Sequence, residues 1–187
     1  SDVYKRQVEY LDHTSNTIYV AFKVKETNKD FLKDTSVIIW TTTPWTIPAN
    51  KALAFNSNIE YTILEIDNLE HFKDKRIVVA KNLIESITKA CEIKSYKELK
   101  TFKGSEFTGT ICSHPFLKLD FDYNVPMLDA QFVNLEQGTG IVHCAPSHGP
   151  DDFNLCLKNN IPSLYTVDNA GVYTKEVPYL TNTHVFK

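Results

Sequence analysis

The segment SVIIWTTTPWTIPAN, from Ser36 to Asn50, joins an apolar run to an abrupt polar stop. The run is β-branched and almost continuous, which predicts a strand over Ser36–Thr43 at a central position in a sheet. Pro44 ends that strand, because proline lacks a backbone N–H and favours an extended residue before it. Threonine hydroxyls at a strand end, followed by a rigid turn, can form one wall of a polar pocket.

The threonines also have a purely structural interpretation. Thr41, Thr42 and Thr43 suit a strand because of their β-propensity, and hydroxyls near turns often satisfy the backbone of the turn itself. From this pattern alone, the structural interpretation is the favoured one.

Other segments predict further strands. Each is rich in β-branched and aromatic residues and bounded by turn residues. They are TIYVAFKV at Thr17–Val24, YTILEI, RIVVA, and the centre of GTGIVHCAP at Gly138–Pro146. Between Tyr96 and Met127, glycines and prolines punctuate the sequence, and a short, turn-rich stretch is expected there.

Two helices are expected. One is amphipathic and covers Lys81–Ala90, with Leu83, Ile84, Ile87 and Ala90 on one face. The other begins near Pro150, which suits the first turn of a helix. These elements predict an α+β domain that is predominantly β, with a curled-sheet or β-barrel core and a few peripheral helices.

Length and composition indicate one globular domain. The chain has 187 residues, of which 42% are hydrophobic and 23% charged, enough to bury a substantial core. Residues 8–187 are interpreted as a single domain, and residues 1–7 as a non-native or disordered terminus. No apolar run reaches membrane-spanning length, so no membrane partner is expected.

The net charge and the cysteine content exclude few classes of function. The net charge of −3 does not indicate a nucleic-acid partner, although local lysine clusters matter more than the total. Lys94, Lys97, Lys100 and Lys103 are interpreted as a solvated face that could also steer a phosphate backbone. The four cysteines include no CxxC pair, which predicts reduced thiols in a cytosolic compartment.

A second motif is GTGIVHCAPSHGPDD, from Gly138 to Asp152. It lacks both the P-loop pattern and the third glycine of a dinucleotide fingerprint, so neither nucleotide-binding unit is predicted. It places His143, Ser147, His148 and two aspartates around one strand-to-helix turn. One aspartate at a helix start interacts favourably with the helix dipole, which leaves the other available to a pocket.

The residues of this motif could also form a zinc site or a nucleophilic triad, and the sequence favours neither. A zinc site from His143, Cys144, His148 and Cys156 has a ligand spacing that matches no common structural or catalytic pattern. A nucleophilic triad based on Ser147 or Cys144 lacks the GxSxG elbow. No metal ion is therefore expected.

Together, WTTTPWTIPANKALAFN and GTGIVHCAPSHGPDDF closely resemble the editing insertion, connective peptide 1, of isoleucyl-tRNA synthetases. VEYLDHTSNTIYVAF near the start and HVFK at the end also match, so the resemblance extends from Val8 onward. Similar valyl and leucyl editing domains typically carry arginine at the third position of the threonine run, where this chain has Thr43. Cys144 and Ser147 depart from the family pattern, which bears on the fine shape of the pocket. The HIGH and KMSKS motifs are absent, so the resemblance is to an excised editing domain that does not activate amino acids.

The resemblance implies a hydrolase that removes valine from mischarged tRNA(Ile). It implies that Asp152 binds the α-ammonium group of the substrate and that His143 limits the size of the side chain that enters. The catalytic residues implied are Thr41, Thr42, Thr43 and Asp152. The substrate-binding residues implied are Trp40, Trp45, Thr46, Asn50, His143 and His148.

Partners and location follow from the same resemblance. The implied partners are the tRNA(Ile) 3′ acceptor end, the valine moiety of Val-tRNA or Val-AMP, and the rest of a synthetase chain in cis. Water is the co-substrate and no cofactor is expected, in a monomer located in the cytoplasm or an organellar matrix. Two alternatives stay open: a non-catalytic module that binds the tRNA acceptor end, and an editing domain for another aliphatic aminoacyl-tRNA.

Overall fold

The computed structural model describes residues 10–12, 18–67, 75–115, 124–146 and 150–159. Most regular structure in these ranges is β. The strands are Tyr10–Asp12 (β1), Ile18–Glu26 (β2), Ser36–Thr41 (β3), Ala52–Phe55 (β4), Glu60–Ile66 (β5), Arg76–Ala80 (β6), Tyr96–Lys103 (β7), Ile111–Ser113 (β8), Asn124–Asp129 (β9) and Val142–Cys144 (β10). The α-helices are Ile84–Ala90 (α1) and Pro150–Lys158 (α2), and short 3-10 helices cover Asp30–Leu32, Pro44–Ala49, Lys81–Leu83 and Gly104–Phe107.

The strands form one mixed sheet in the order β10-β4-β9-β8-β2-β3-β6-β5-β7, with β1 paired to β2. The β3–β6 and β4–β9 pairs are parallel, and the other pairs are antiparallel. The two ends of this path, β10 and β7, are not paired with each other in the part of the chain that the structure covers. Strand β10 nevertheless contacts β3, so the sheet curls back on itself. The α+β, predominantly β fold is confirmed, and the curled sheet rather than a closed barrel is the form found.

Two apolar clusters hold the fold together. The larger packs the central strands β2, β3, β5 and β6 around fully buried side chains such as Phe22, Ile38 and Tyr61. The smaller joins β4 and β10 to α2, and its buried members are Ala52, Ala54, Ala130, Val133, Cys144, Leu155 and Cys156. Removal of this apolar surface from water is the main force that attaches α2 to the sheet.

The predicted strands are confirmed, with one boundary that bears on the site. Strand β3 ends at Thr41, two residues before the predicted end at Thr43. The backbone N–H of Thr43 donates to Thr41 Oγ1 at 3.0 Å, a local turn that competes with sheet pairing. The chain therefore leaves the sheet before Pro44, and the threonine hydroxyls are not all on strand positions.

The turn-rich prediction for Tyr96–Met127 is wrong over its first part, where strand β7 runs for eight residues. All of its side chains except Phe102 are exposed. An edge strand that pairs only with β5 buries no alternating face, so the period-two pattern that identifies strands is absent. The exposed lysines at positions 94, 97, 100 and 103 agree with the predicted solvated face.

The helix predictions hold with smaller differences. The segment Lys81–Ala90 begins as a 3-10 turn and becomes α-helical at Ile84, and Thr88 is buried while Ala90 is only half-buried. Helix α2 begins at Pro150 as expected. In the parts of the chain that the structure describes, no helix is both long and apolar enough to cross a bilayer. The terminal segment 1–7 lies outside the described residues.

Candidate functional site

A cavity of about 220 Å³ opens where the two sequence motifs meet. Its walls come from the end of β3, the 3-10 turn Pro44–Ala49, strand β10 and the first turn of α2. The lining residues are Trp40, Thr41, Thr42, Thr43, Thr46, Val142, His143, Ala145 and Asp152. The curl of the sheet, which brings β10 against β3, is what places these segments together.

One wall consists of threonine hydroxyls with defined partners. Thr41 is buried and its hydroxyl lies 3.3 Å from that of Thr43. Thr46 donates its hydroxyl proton to the Thr43 carbonyl at 2.8 Å. Thr42 has an exposed side chain at the cavity. The wall therefore combines hydroxyls fixed by the turn with one that is directed to solvent.

His143 is held at both ring nitrogens. Asn50 Nδ2 lies 3.2 Å from Nδ1, and Thr46 Oγ1 lies 2.8 Å from Nε2. Because Asn50 Nδ2 also donates to the Ala52 carbonyl, it is the amide nitrogen and donates its second proton to Nδ1. Nδ1 is then an acceptor, so the ring carries its proton on Nε2 and donates it to Thr46. His143 is only 8% exposed, and its orientation is fixed by both contacts.

Asp152 is the one carboxylate that lines the cavity in the described part of the chain. Its Oδ2 accepts the backbone N–H of Ala145 at 3.0 Å, which joins the start of α2 to the end of β10. Burial raises the pKa of this carboxyl, the N–H of Ala145 lowers it, and the neighbouring Asp151 raises it. Asp151 is exposed, so the two aspartates divide between solvent and cavity.

A glycine turn sets the position of β10. Gly138 and Gly140 have φ angles of +82° and +81°, which favour glycine. A Cβ atom at Gly140 would lie 2.5 Å from the Cβ of Ala80, so the turn packs directly on β6. Tyr61 donates its hydroxyl proton to the Gly140 carbonyl at 2.6 Å, and Ala80 donates its N–H to the Thr139 carbonyl at 2.9 Å. The turn is therefore anchored to the central strands before the chain reaches His143.

The structure brings together most of the residues predicted for the site. The seven predicted residues that line the cavity are Trp40, Thr41, Thr42, Thr43, Thr46, His143 and Asp152. Trp45 and Asn50 are not among the lining residues: Trp45 packs against the larger apolar cluster, and Asn50 is buried behind His143. His148 lies outside the described residues, as does Ser147.

Two lining residues were not predicted, Val142 and Ala145. Both lie in the GTGIVHCAP motif close to His143, which was predicted. Their closeness to that residue is the sequence feature from which they could have been predicted. Ala145 takes part through its backbone N–H, a group that every residue except proline carries, so its side chain gives no sign of the role.

The cysteines of this region lie in the core. Cys144 and Cys156 are both buried in the smaller cluster, and neither lines the cavity. Burial raises the pKa of Cys144 well above its usual range and raises that of Cys156 to about 11. A thiol held in its neutral form is a poor nucleophile and a poor metal ligand. In the described ranges no group of three or more His, Cys, Asp or Glu side chains is placed to hold a metal ion.

Comparison with known proteins identifies the family. The family model described as "Leucyl-tRNA synthetase, editing domain" matches residues 14–185. Among curated proteins, the isoleucine–tRNA ligase of Pelagibacter ubique (strain HTCC1062) is 64% identical over 181 residues, covering 97% of this chain and 20% of that protein. The isoleucine–tRNA ligase of Gluconobacter oxydans (strain 621H) is 40% identical over 187 residues, covering 97% and 20%. The chain thus spans about a fifth of the length of these relatives.

Solved structures of the same kind share the fold. The crystal structure of GlLeuRS-CP1 has a TM-score of 0.61 at 16% identity, covering 83% of this chain and 73% of that one. The editing domain of the P. falciparum cytosolic leucyl-tRNA synthetase has a TM-score of 0.53 at 19% identity, covering 67% and 47%. With the family match across most of its length, the chain belongs to the aminoacyl-tRNA synthetase editing domains and is similar to the corresponding segment of isoleucine–tRNA ligases.

Proposed function

We propose that this domain hydrolyses the ester of Val-tRNA(Ile), as the post-transfer editing site of an isoleucyl-tRNA synthetase. The observation that carries the proposal is the small cavity in which a carboxylate, Asp152, meets the threonine wall and the fixed ring of His143. Val-AMP is a second substrate with the same aminoacyl end.

The need for such a site follows from the limits of binding energy. Isoleucine exceeds valine by one methylene, and a hydrophobic pocket gains only about 1–3 kcal/mol from that difference. Isoleucyl-tRNA synthetase is the standard illustration of this limit. A second site can discriminate sterically, because it can admit valine and exclude the larger isoleucine. A small cavity bordered by an immobilised imidazole suits that purpose.

The substrate's α-ammonium group needs a negative partner. Asp152 is the lining carboxylate, and its Oδ2 is already oriented by Ala145 N–H. Burial raises the pKa of Asp152 in the free domain, and an ammonium group nearby would stabilise the ionised form. Entry of the substrate therefore favours the ionised carboxylate that the ion pair requires.

The ester bond needs positioned water and polar partners for the developing oxyanion. The hydroxyls of Thr41, Thr42 and Thr43, with nearby backbone N–H groups, supply these partners. Water adds to the ester carbonyl, the bond to the ribose oxygen breaks, and the ribose oxygen takes the proton. The products are valine and tRNA with a free 3′-terminal hydroxyl. An aminoacyl ester is already activated, so positioning suffices without a covalent intermediate or a metal ion.

The remaining partners follow from the same proposal. The tRNA(Ile) acceptor end delivers the ester, and the rest of the synthetase in cis supplies most of the tRNA contacts. We further propose that the domain works as a monomer in the cytoplasm or an organellar matrix, with water as co-substrate.

The deciding experiment compares deacylation of Val-tRNA(Ile) and Ile-tRNA(Ile) side by side. The 187-residue chain is first assayed by itself at high concentration. It is then assayed within the Pelagibacter ubique enzyme, where it replaces the matching segment. Release of valine but not isoleucine, unchanged by a chelator, is the expected result. Binding of both charged tRNAs without release would support the non-catalytic alternative, and preference for a different aliphatic ester would support the second alternative.

A further inference from the structure

His114 is a buried histidine that the site described above does not include. It follows β8, is only 1% exposed and is not among the residues that line the cavity. Its Nε2 lies 3.0 Å from the carbonyl oxygen of Ile47. A carbonyl oxygen only accepts, so His114 carries its proton on Nε2 and donates it to Ile47. Burial is the main cause that lowers the pKa of His114 to about 3, so the ring is neutral at physiological pH.

Ile47 lies within the 3-10 turn Pro44–Ala49, and its carbonyl receives two hydrogen bonds. The second comes from the backbone N–H of Asn50, at 2.9 Å. Pro48 lies inside this short turn and removes one internal backbone donor, whereas Pro44 is at its first position, where a missing N–H costs no internal hydrogen bond. His114, which follows β8, therefore provides a donor from a distant part of the chain, at a separation of 67 residues.

The same turn holds His143. Thr46 precedes Ile47 and contacts Nε2 of His143, while Asn50 ends the turn and contacts Nδ1. Thr46 lies in this short turn and Asn50 caps its end, so we expect a shift of the Ile47 carbonyl to move both residues. These two contacts set the tautomer of the His143 ring and contribute to its orientation.

We propose that His114 is a positioning residue for His143: its bond to Ile47 fixes the turn whose Thr46 and Asn50 orient the His143 ring in the cavity. The link to substrate selection rests on the proposed function, whereas the effect on the ring does not. Neither His114 nor Ile47 lines the cavity, so His114 would act without touching the substrate.

The first test needs no variant. Nitrogen-15 NMR of the imidazole rings in the 187-residue chain reports which nitrogen of each histidine carries the proton. The expected spectrum has His114 and His143 both as the Nε2–H tautomer, with a slowly exchanging Nε2 proton on the buried His114. A proton on Nδ1 of His114 would overturn the proposal.

The second test uses a matched pair of variants. His114→Gln keeps an N–H donor near the position of Nε2, whereas His114→Leu has a similar volume and no donor. In His114→Leu the His143 signals should become those of a mixed tautomer, and in His114→Gln they should stay those of the parent. The ratio of kcat/KM for Val-tRNA(Ile) over Ile-tRNA(Ile) should fall by about 5- to 10-fold in His114→Leu alone, the factor for losing one buried hydrogen bond.

The outcomes separate this inference from the proposed function. A folded His114→Leu variant with parental His143 signals and parental selectivity would mean that His114 only fills the core, which overturns the inference. A parent chain that releases no valine would count against the proposed function, while the ring tautomers would still test His114. If His114→Leu does not fold, the proposal is tested by the tautomers of the parent chain and by the His143 signals of His114→Gln.

Discussion

Thr46 and His143, 97 residues apart in the chain, are joined by a 2.8 Å hydrogen bond between Oγ1 and Nε2. This contact connects the proline-bounded turn after β3 to strand β10. It also links the two motifs that identify the family. The cavity exists because the sheet curls far enough to make this bond.

Replacing Asp152 with Asn should abolish release of valine and should not destabilise the domain at neutral pH. Burial raises the pKa of Asp152 in the folded state, while the unfolded state keeps an ordinary value of about 3.9. The folded state thus binds the proton more tightly, and the ionised carboxylate reduces stability as pH rises from about 3.9 through the raised pKa. Asparagine removes that charge and keeps an oxygen for the Ala145 N–H.

The measurement is the free energy of unfolding of parent and Asp152→Asn from pH 3 to pH 8. As pH rises from about 3.9 through the raised pKa of Asp152, the parent should lose free energy of unfolding relative to the variant. Above that pKa the difference between the two proteins should stay constant. Asp151→Asn, which removes a carboxylate at the exposed neighbouring position, is the control. A parent that gains stability relative to Asp152→Asn with rising pH would contradict the prediction.

Replacing His143 with Ala should allow the domain to cleave Ile-tRNA(Ile). The imidazole fills part of the cavity and its removal makes room for the additional methylene. Relative deacylation of Ile-tRNA(Ile) and Val-tRNA(Ile) is the measurement. Selectivity for valine that survives the substitution would remove His143 from the size-limiting role.

Alanine substitutions at Gly140 and Gly138 should differ in their cost. Both positions have a positive φ, so each variant pays a backbone cost of about 1–2 kcal/mol. Only at Gly140 does the new Cβ come within 2.5 Å of the Ala80 Cβ, whereas at Gly138 the nearest contact is 3.6 Å from Trp40. Gly140→Ala should therefore lose about 1–3 kcal/mol more in thermal or denaturant unfolding. Equal losses would show that the turn does not press on β6 as described.

The native thiols should be unreactive. All four cysteines are free and buried, and burial raises the pKa of Cys91 to about 12 and that of Cys156 to about 11. The thiolate is the reactive form, so a colorimetric thiol reagent at neutral pH should label the folded chain slowly and the unfolded chain fully. Rapid labelling of Cys144 in the folded chain would revive a nucleophilic role for that residue.

The residues predicted for the site lie together in the structure, whereas the edges of the fold were predicted less well. The threonine run and the GTGIVHCAP motif each carry chemistry in a short, recognisable segment, and seven predicted residues do line one cavity. Trp45 and Asn50 share the first segment but do not line the cavity, because Trp45 packs against the larger apolar cluster and Asn50 lies behind His143.

Three features depended on tertiary contacts and could not be predicted. Strand β7 has exposed side chains at nearly every position, so its pairing with β5 leaves no hydrophobic period in the sequence. His114 sits in a stretch interpreted as turns, and the role proposed for it depends on a carbonyl 67 residues away. The choice between a closed barrel and a curled sheet likewise depends on pairing between distant strands.

The most direct test is an NMR titration of the chain with valyl-adenosine in which a stable amide replaces the ester. If the cavity binds the aminoacyl end, the backbone amide signals of Thr42 and Ala145 should shift, and Asp152→Asn should abolish the effect. The isoleucyl analogue should leave those signals unchanged. Shifts confined to residues remote from this cavity, or equal shifts with both analogues, would contradict the assignment of the cavity as the editing site.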